Sequence, residues 1–176
     1  MAESVTDVRH LPKDEAYRVV GEQVDSVCAG ERDPVALMST IACLLHHGFG
    51  HLWTGFYRVV PGNRLVVGPY QGSLGCMDIA MGRGVCGTAA AERRTVVVPD
   101  VSAFPGHIAC DARSRSEIVV PVFDARGEVL AVLDIDSDSL ARFDEVDARA
   151  LEALMERYGA RLDTNYYSGG THARTR

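Results

Sequence analysis

Two turn-closed strand pairs, held apart by a long stretch with little periodicity, constrain the fold more than any other feature of this chain. Residues 51–60 and 64–70 flank Pro61-Gly62-Asn63, and residues 117–123 and 128–135 flank Asp124-Ala125-Arg126-Gly127. Runs of β-branched and aromatic residues around Gly, Pro, Asn and Asp are hairpin signals, and a hairpin pairs its strands antiparallel. Between the hairpins, residues 71–115 are rich in Gly and Pro. They hold one short helix candidate at 85–93 and one apolar run at 95–98. A compact domain seldom carries so long an irregular segment unless it lines or lids a site.

Helices bracket the strands. Residues 13–29 set Tyr17, Val20, Val24 and Val27 at three- and four-residue spacing and then meet Gly30, a stop signal. Asp33 before Pro34 reads as an N-cap and first turn, opening a helix through Leu37, Ile41 and Leu45 to Gly48. Asp144 caps a last helix through Val146, Ala150, Leu151, Leu154, Met155 and Tyr158. This order predicts an α+β fold, an antiparallel sheet with its helices grouped on one face. A single domain is expected over 1–176, with its core at about 13–160 and flexible termini at 1–11 and 165–176. No internal repeat interrupts it.

Composition narrows the function classes. A hydrophobic fraction of 47% and a charged fraction of 24% fit a folded soluble protein and exclude general disorder. No apolar run approaches the roughly 18–20 residues of a membrane-spanning helix. Residues 1–10 lack the apolar stretch of a secretory signal. The net charge of −6 argues against broad nucleic-acid binding, which leans on clustered positive charge.

Five cysteines, an odd and small number in a chain of this size, suggest a reducing, cytoplasmic setting rather than a disulfide framework. Cys28 and Cys43 fall in predicted helices near apolar positions and read as small buried hydrophobes. The other three lie in the irregular segment. Cys76 ends the glycine-bearing loop Gly72-Ser73-Leu74-Gly75. Cys86 follows Gly82-Arg83-Gly84 at a helix start, where the helix end and Arg83 favour thiolate. Cys110 has His107, Arg113 and Arg115 nearby. Thiol redox chemistry, a metal site and incidental thiols all fit this trio. The metal reading is weak, because gaps of ten and twenty-four residues are unlike the close pairs of zinc sites. His46, His47 and His51 read as surface or helix-end residues.

Asp134 and Asp136 stand two apart at the end of an apolar run, so they share one strand face, and Glu117 begins the neighbouring strand. Acids beside a core strand are costly unless a cation faces them. Either this is a solvated strand end, or the three acids meet an ammonium, a guanidinium or a protonated ligand group. Trp53 and Tyr57 on the first strand fit an apolar pocket wall or plain core.

The stretch Gly68-Pro69-Tyr70-Gln71-Gly72, followed by Gly82-Arg83-Gly84-Val85-Cys86-Gly87-Thr88-Ala89-Ala90, resembles the free methionine-(R)-sulfoxide reductase family. So do Phe104-Pro105-Gly106-His107-Ile108-Ala109-Cys110-Asp111, Ser114-Arg115-Ser116-Glu117-Ile118-Val119-Val120-Pro121 and Leu133-Asp134-Ile135-Asp136-Ser137. The resemblance spans about residues 17–158 and is densest over 82–137. It implies a GAF-like fold, a central antiparallel sheet flanked by helices. It also implies reduction of the R epimer of free L-methionine sulfoxide, with no cofactor and no metal.

On that resemblance Cys110 matches the nucleophile that is left as a sulfenic acid, and Cys76 matches the cysteine that resolves it into a disulfide reduced by thioredoxin. Cys86 matches the third family cysteine. A glycine-flanked loop can swing where a helix start is more fixed, which favours Cys76 over Cys86 as resolver. Glu117, Asp134 and Asp136 match acidic substrate-binding residues, and Trp53 matches a tryptophan at the substrate methyl end. Physical reasons accompany these matches. Crowded acids can hold one proton for the sulfoxide oxygen. Their remaining charge suits the α-ammonium that a methionine residue inside a polypeptide lacks. A GAF-type small-molecule sensor would not need the cysteine trio, and a thiol redox sensor would not need the acids. Whether the chain pairs as a homodimer is left open by the sequence.

Overall fold

The computed structural model describes residues 4–163. Asp33 caps α2 (Pro34–Phe49) as expected, its carboxylate accepting from the Val35 and Ala36 backbone N–H groups at 2.9 Å each. The helix runs to Phe49 rather than Gly48 and ends on Gly50 in the left-handed region. α1 (Lys13–Val27) precedes it, and α4 (Glu145–Tyr158) opens with a reciprocal cap between Asp144 and Asp147. Asp147 is fully buried. It accepts from Tyr17 Oη at 2.8 Å and pairs with Lys13, which joins α1 to α4.

Both hairpins form. β1 (Trp53–Val60) pairs with β2 (Arg64–Gly72), and β5 (Ser116–Phe123) with β6 (Val129–Ser137), all antiparallel. A seam between β1 and β6 joins the hairpins, and β3 (Asp78–Ala80) and β4 (Val96–Val98) extend the edges. Among the described residues the sheet order is β3-β2-β1-β6-β5-β4. β3 escapes sequence reading because three residues with one buried side chain, Ile79, have no period to detect.

The sheet is covered on both faces, which corrects the expectation of helices on one. Phe56, Ile118, Val120, Leu133 and Ile135 pack against α1, α2 and α4. From the opposite face Tyr57, Val119 and Val132 pack against Val85, Cys86, Ala89 and Ala90 of α3 (Gly84–Glu92). The reason lies in β5 and β6, which are apolar at nearly every position rather than at alternate ones. Strands of that kind need burial on both sides.

Residues 4–11, expected to be flexible, are tied down by the buried Val8, whose backbone N–H donates to the Gly48 carbonyl at 3.0 Å; residues 165–176 lie outside the described part. Of the two places expected for His51, surface or helix end, the structure gives the second: its backbone N–H donates to the His46 carbonyl at 3.1 Å, while its side chain is buried and stacked on Phe49 at 5.4 Å. Burial pushes its pKa down to about 3, so the imidazole is neutral. Cys28 is buried and Cys43 half-buried. Among the described residues no helix is long and apolar enough to cross a membrane.

Candidate active site

The irregular segment folds over the α3 face of the sheet. At Gly72, φ is +113°, and a Cβ there would stand 2.6 Å from the Leu52 carbonyl oxygen, so the chain can leave β2 this close to β1 only as glycine. It enters the loop of Cys76, makes β3, turns into α3, and returns through β4 to a second loop at 104–115 that carries Cys110. Cys76 and Cys110 are bonded to each other as a disulfide, with Cα atoms 5.3 Å apart. Cys110 is exposed and Cys76 half-buried, so the bridge is open to solvent.

Below the bridge lies a narrow cavity of about 30 Å³. Strand register builds its floor. Trp53 pairs with Asp136 and Asp136 with Glu117, giving one row across three strands, while Asp134 stands opposite Gly55 in the next row on the same face. Above them α3 lowers Cys86, whose Sγ is 3.9 Å from Glu117 Oε1. Trp53 walls one side, stacked on Tyr57 at 5.7 Å and Tyr70 at 5.2 Å, and its Nε1–H donates to the Ser73 carbonyl at 3.1 Å. Trp53, Cys86, Cys110, Glu117, Asp134 and Asp136 thus line one cavity, with Cys76 at its rim.

Three carboxyls so placed resist ionisation. Burial, then the charge of neighbouring acids, pushes Glu117 and Asp134 well above the ordinary carboxylate range. Burial raises Asp136 to about 6, against the pull of the Ser114 hydroxyl that donates to it and of His107. Asp134 Oδ1 is buried with no hydrogen-bond partner. His107 Nε2 stands 3.6 Å from Glu117 Oε2. The lining contains no lysine or arginine. The site therefore concentrates latent negative charge and leaves an acceptor unsatisfied.

Cys86 departs from the thiolate expected at a helix start. Burial, then the charges of Asp134 and Glu117, pushes its thiol pKa well up. Desolvation beside like charge outweighs the partial positive charge of a helix end. Cys86 Sγ and oxygens of Glu117 and Asp134 lie within 4.8 Å of one another, a spacing that could hold a cation. A metal would require these groups deprotonated. An organic ammonium, a donor of three hydrogen bonds, suits protonated or shared-proton acceptors better.

Sequence reading passed over Ser114, because a hydroxyl three residues before Glu117 carries no pattern of its own. His107 was noted only as a neighbour of Cys110, since its approach to Glu117 depends on the fold of the 104–115 loop.

The GAF domain model matches residues 33–162. A free methionine-R-sulfoxide reductase from Saccharomyces cerevisiae is 39% identical over 160 residues, 87% of this chain and 89% of that one. One from Escherichia coli is 38% identical over 158 residues, 89% and 94% of the two chains. The crystal structure of the Neisseria meningitidis free methionine-R-sulfoxide reductase in complex with its substrate superposes with a TM-score of 0.85 at 46% identity, covering 90% of this chain and 95% of that one. With whole-length similarity of this order and a cysteine bridge closing a carboxylate-floored cavity, the chain belongs to the GAF domain family and, within it, to the free methionine-R-sulfoxide reductases.

Proposed function

We propose that the protein reduces free L-methionine-(R)-sulfoxide to L-methionine by thiol chemistry at this cavity, in a reducing cytoplasm. The observation that supports it most is the meeting of an oxidisable thiol pair, Cys76 and Cys110, with three acids that face no lysine or arginine. Relatives bearing the activity in their names add to it.

With the bridge reduced, the Cys110 thiolate attacks the sulfoxide sulfur. The sulfoxide oxygen takes a proton from the Glu117–Asp134–Asp136 cluster, whose raised pKa values suit a general acid near neutrality. Oxygen passes to Cys110, the sulfur–oxygen bond of the substrate breaks, and methionine leaves as a thioether. Cys110 remains as a sulfenic acid. The Cys76 thiolate attacks that sulfur, the sulfur–sulfur bond forms and water departs. A dithiol protein, thioredoxin, then reduces the bridge by exchange and is itself oxidised.

Binding follows from charge. The α-ammonium of the free amino acid settles over Glu117, Asp134 and Asp136 and satisfies Asp134 Oδ1, while Trp53 packs on the methyl end. Cys86 keeps its proton and supports the floor through Glu117. A methionine sulfoxide residue inside a peptide has an amide where the ammonium should be, and would leave these acids unpaired.

Methionine release from the free R epimer, the free S epimer and a sulfoxide-containing peptide, with thioredoxin and its reductase as electron source, tests the reading. Turnover of the free R epimer alone is expected, lost in Cys110→Ser and limited to a single turnover in Cys76→Ser. Equal turnover of the peptide, or none of the free R epimer, refutes it.

A further inference from the structure

The two cysteine loops are joined by a second tie besides the bridge. Ser73 stands three residues before Cys76, Asp111 directly follows Cys110, and Ser73 Oγ–H donates to Asp111 Oδ2 at 2.5 Å. Asp111 is fixed from its other side. Arg113 Nε and Nη2 donate to its oxygens at 3.1 and 2.7 Å, and the Arg113 backbone N–H donates to Oδ1 at 2.9 Å. These bonds hold the Asp111 carboxyl well below the usual range, so it is ionised at any working pH. The Ser73 carbonyl is meanwhile held by Trp53. Residues 73–77 belong to no helix or strand; the Cys76 backbone is hydrogen-bonded to Tyr57 and the Val67 backbone N–H donates to the Met77 carbonyl at 3.2 Å, and to these the Ser73–Asp111 bond adds a tie to the Cys110 loop that persists once the bridge is open.

We propose that Ser73 and Asp111 are positioning residues for bridge formation: their hydrogen bond keeps the Cys76 loop against Cys110 when both sulfurs are reduced. The second thiol then meets the oxidised sulfur at high effective concentration rather than after a loop search. The proposal rests on the function above only for the identity of the physiological oxidant.

The test uses reduced full-length protein in two arms. One supplies free methionine-(R)-sulfoxide. The other supplies hydrogen peroxide, whose oxygen–oxygen bond breaks as the Cys110 thiolate takes one oxygen and releases hydroxide, giving the same sulfenic acid without any amino-acid substrate. In both, Cys76 attack closes the bridge and expels water. Ser73→Ala is expected to release methionine in its first turnover at the wild-type rate. It should close the bridge about tenfold more slowly in both arms, the scale of one lost charge-assisted hydrogen bond. The delayed sulfenic acid is caught by dimedone and read by mass. Asp111→Asn shows the same slowing of closure, and Ser73→Thr, which keeps the hydroxyl, restores the rate. With the rate of bridge opening unchanged, the reduction potential of the bridge rises by about 30 mV, the two-electron equivalent of tenfold.

Wild-type closure in Ser73→Ala in the peroxide arm overturns the proposal. So does an equal slowing of methionine release, which would put the hydroxyl in the substrate step. If the wild type releases no methionine while Ser73→Ala still closes slowly after peroxide, the assigned substrate is wrong and the tie stands.

Discussion

The Trp53 indole lies across Gly55, so closely that a Cβ on Gly55 would stand 2.6 Å from the ring and 2.3 Å from Tyr70 Cβ. The apolar wall of the cavity thus exists because one residue of β1 has no side chain. Gly55→Ala forces the indole or Tyr70 aside, an overpacking cost of about 1–3 kcal/mol. A lower Tm and a raised KM for the sulfoxide are expected, with kcat less affected. An unchanged KM would mean that the indole does not meet the substrate.

Asp136 gives the acid cluster a measurable pH signature. Its pKa is raised from 3.8 to about 6 in the folded protein, so the native state binds its proton more tightly than the unfolded chain does. The associated stabilisation is fully present below about pH 4 and is lost as pH rises through about 6, on the order of 2–3 kcal/mol for a shift of this size. Asp136→Asn should remove that decline, gaining on the wild type between pH 4 and 7 in denaturation measurements. Substrate affinity runs the opposite way. The anion that holds the α-ammonium appears as pH rises through about 6, so KM should fall over the same interval in the wild type and stay flat in Asp136→Asn.

Asp134 separates binding from folding. Its Oδ1 has no partner, and burial with Glu117 and Asp136 beside it makes its ionisation costly. Asp134→Asn removes that cost, so its Tm is expected to gain on the wild type as pH rises. It also removes a buried partner of the ammonium, a loss of about 2–5 kcal/mol in such pairs, and so lowers kcat/KM at least about 30-fold. A variant both less stable and less active would show the carboxylate to be structural.

The legibility of these features in the sequence followed the range of the forces behind them. Asp33 and Asp144 announce their helices because a cap acts within one turn, and Pro61-Gly62-Asn63 announces a hairpin for the same reason. The face shared by Asp134 and Asp136 is a consequence of strand geometry alone. The β1–β6 seam joins residues some eighty positions apart, and no local pattern encodes it. Without the seam Trp53 cannot be put beside Asp136, nor His51 in the core. β5 and β6 do carry the sign of two-sided burial in their unbroken apolar runs, and that sign points to the correct place for α3. The environment of Cys86 depends on how α3 packs against acids from two strands, so a helix-start motif pointed to a thiolate where the fold makes a thiol. The pairing of Cys76 with Cys110 was reached from family resemblance and loop composition, not from spacing.

Cys86 offers a sharp contrast with the bridge cysteines. Its thiol is buried and its pKa is pushed up by burial and two carboxyls, whereas Cys110 is exposed and Cys76 half-buried. Alkylation needs both thiolate and access. After reduction of the native protein at pH 8, brief iodoacetamide treatment should label Cys110 and Cys76 and leave Cys86 unmodified, with Cys86 labelled at full rate once denaturant is added. Cys86→Ser, which retains a donor toward Glu117, should keep methionine release within about tenfold of the wild type, because a neutral hydroxyl can replace a neutral thiol as hydrogen-bond partner. Rapid native labelling of Cys86, or complete loss of turnover in Cys86→Ser, would show that this sulfur reacts as a thiolate and would make it part of the thiol relay.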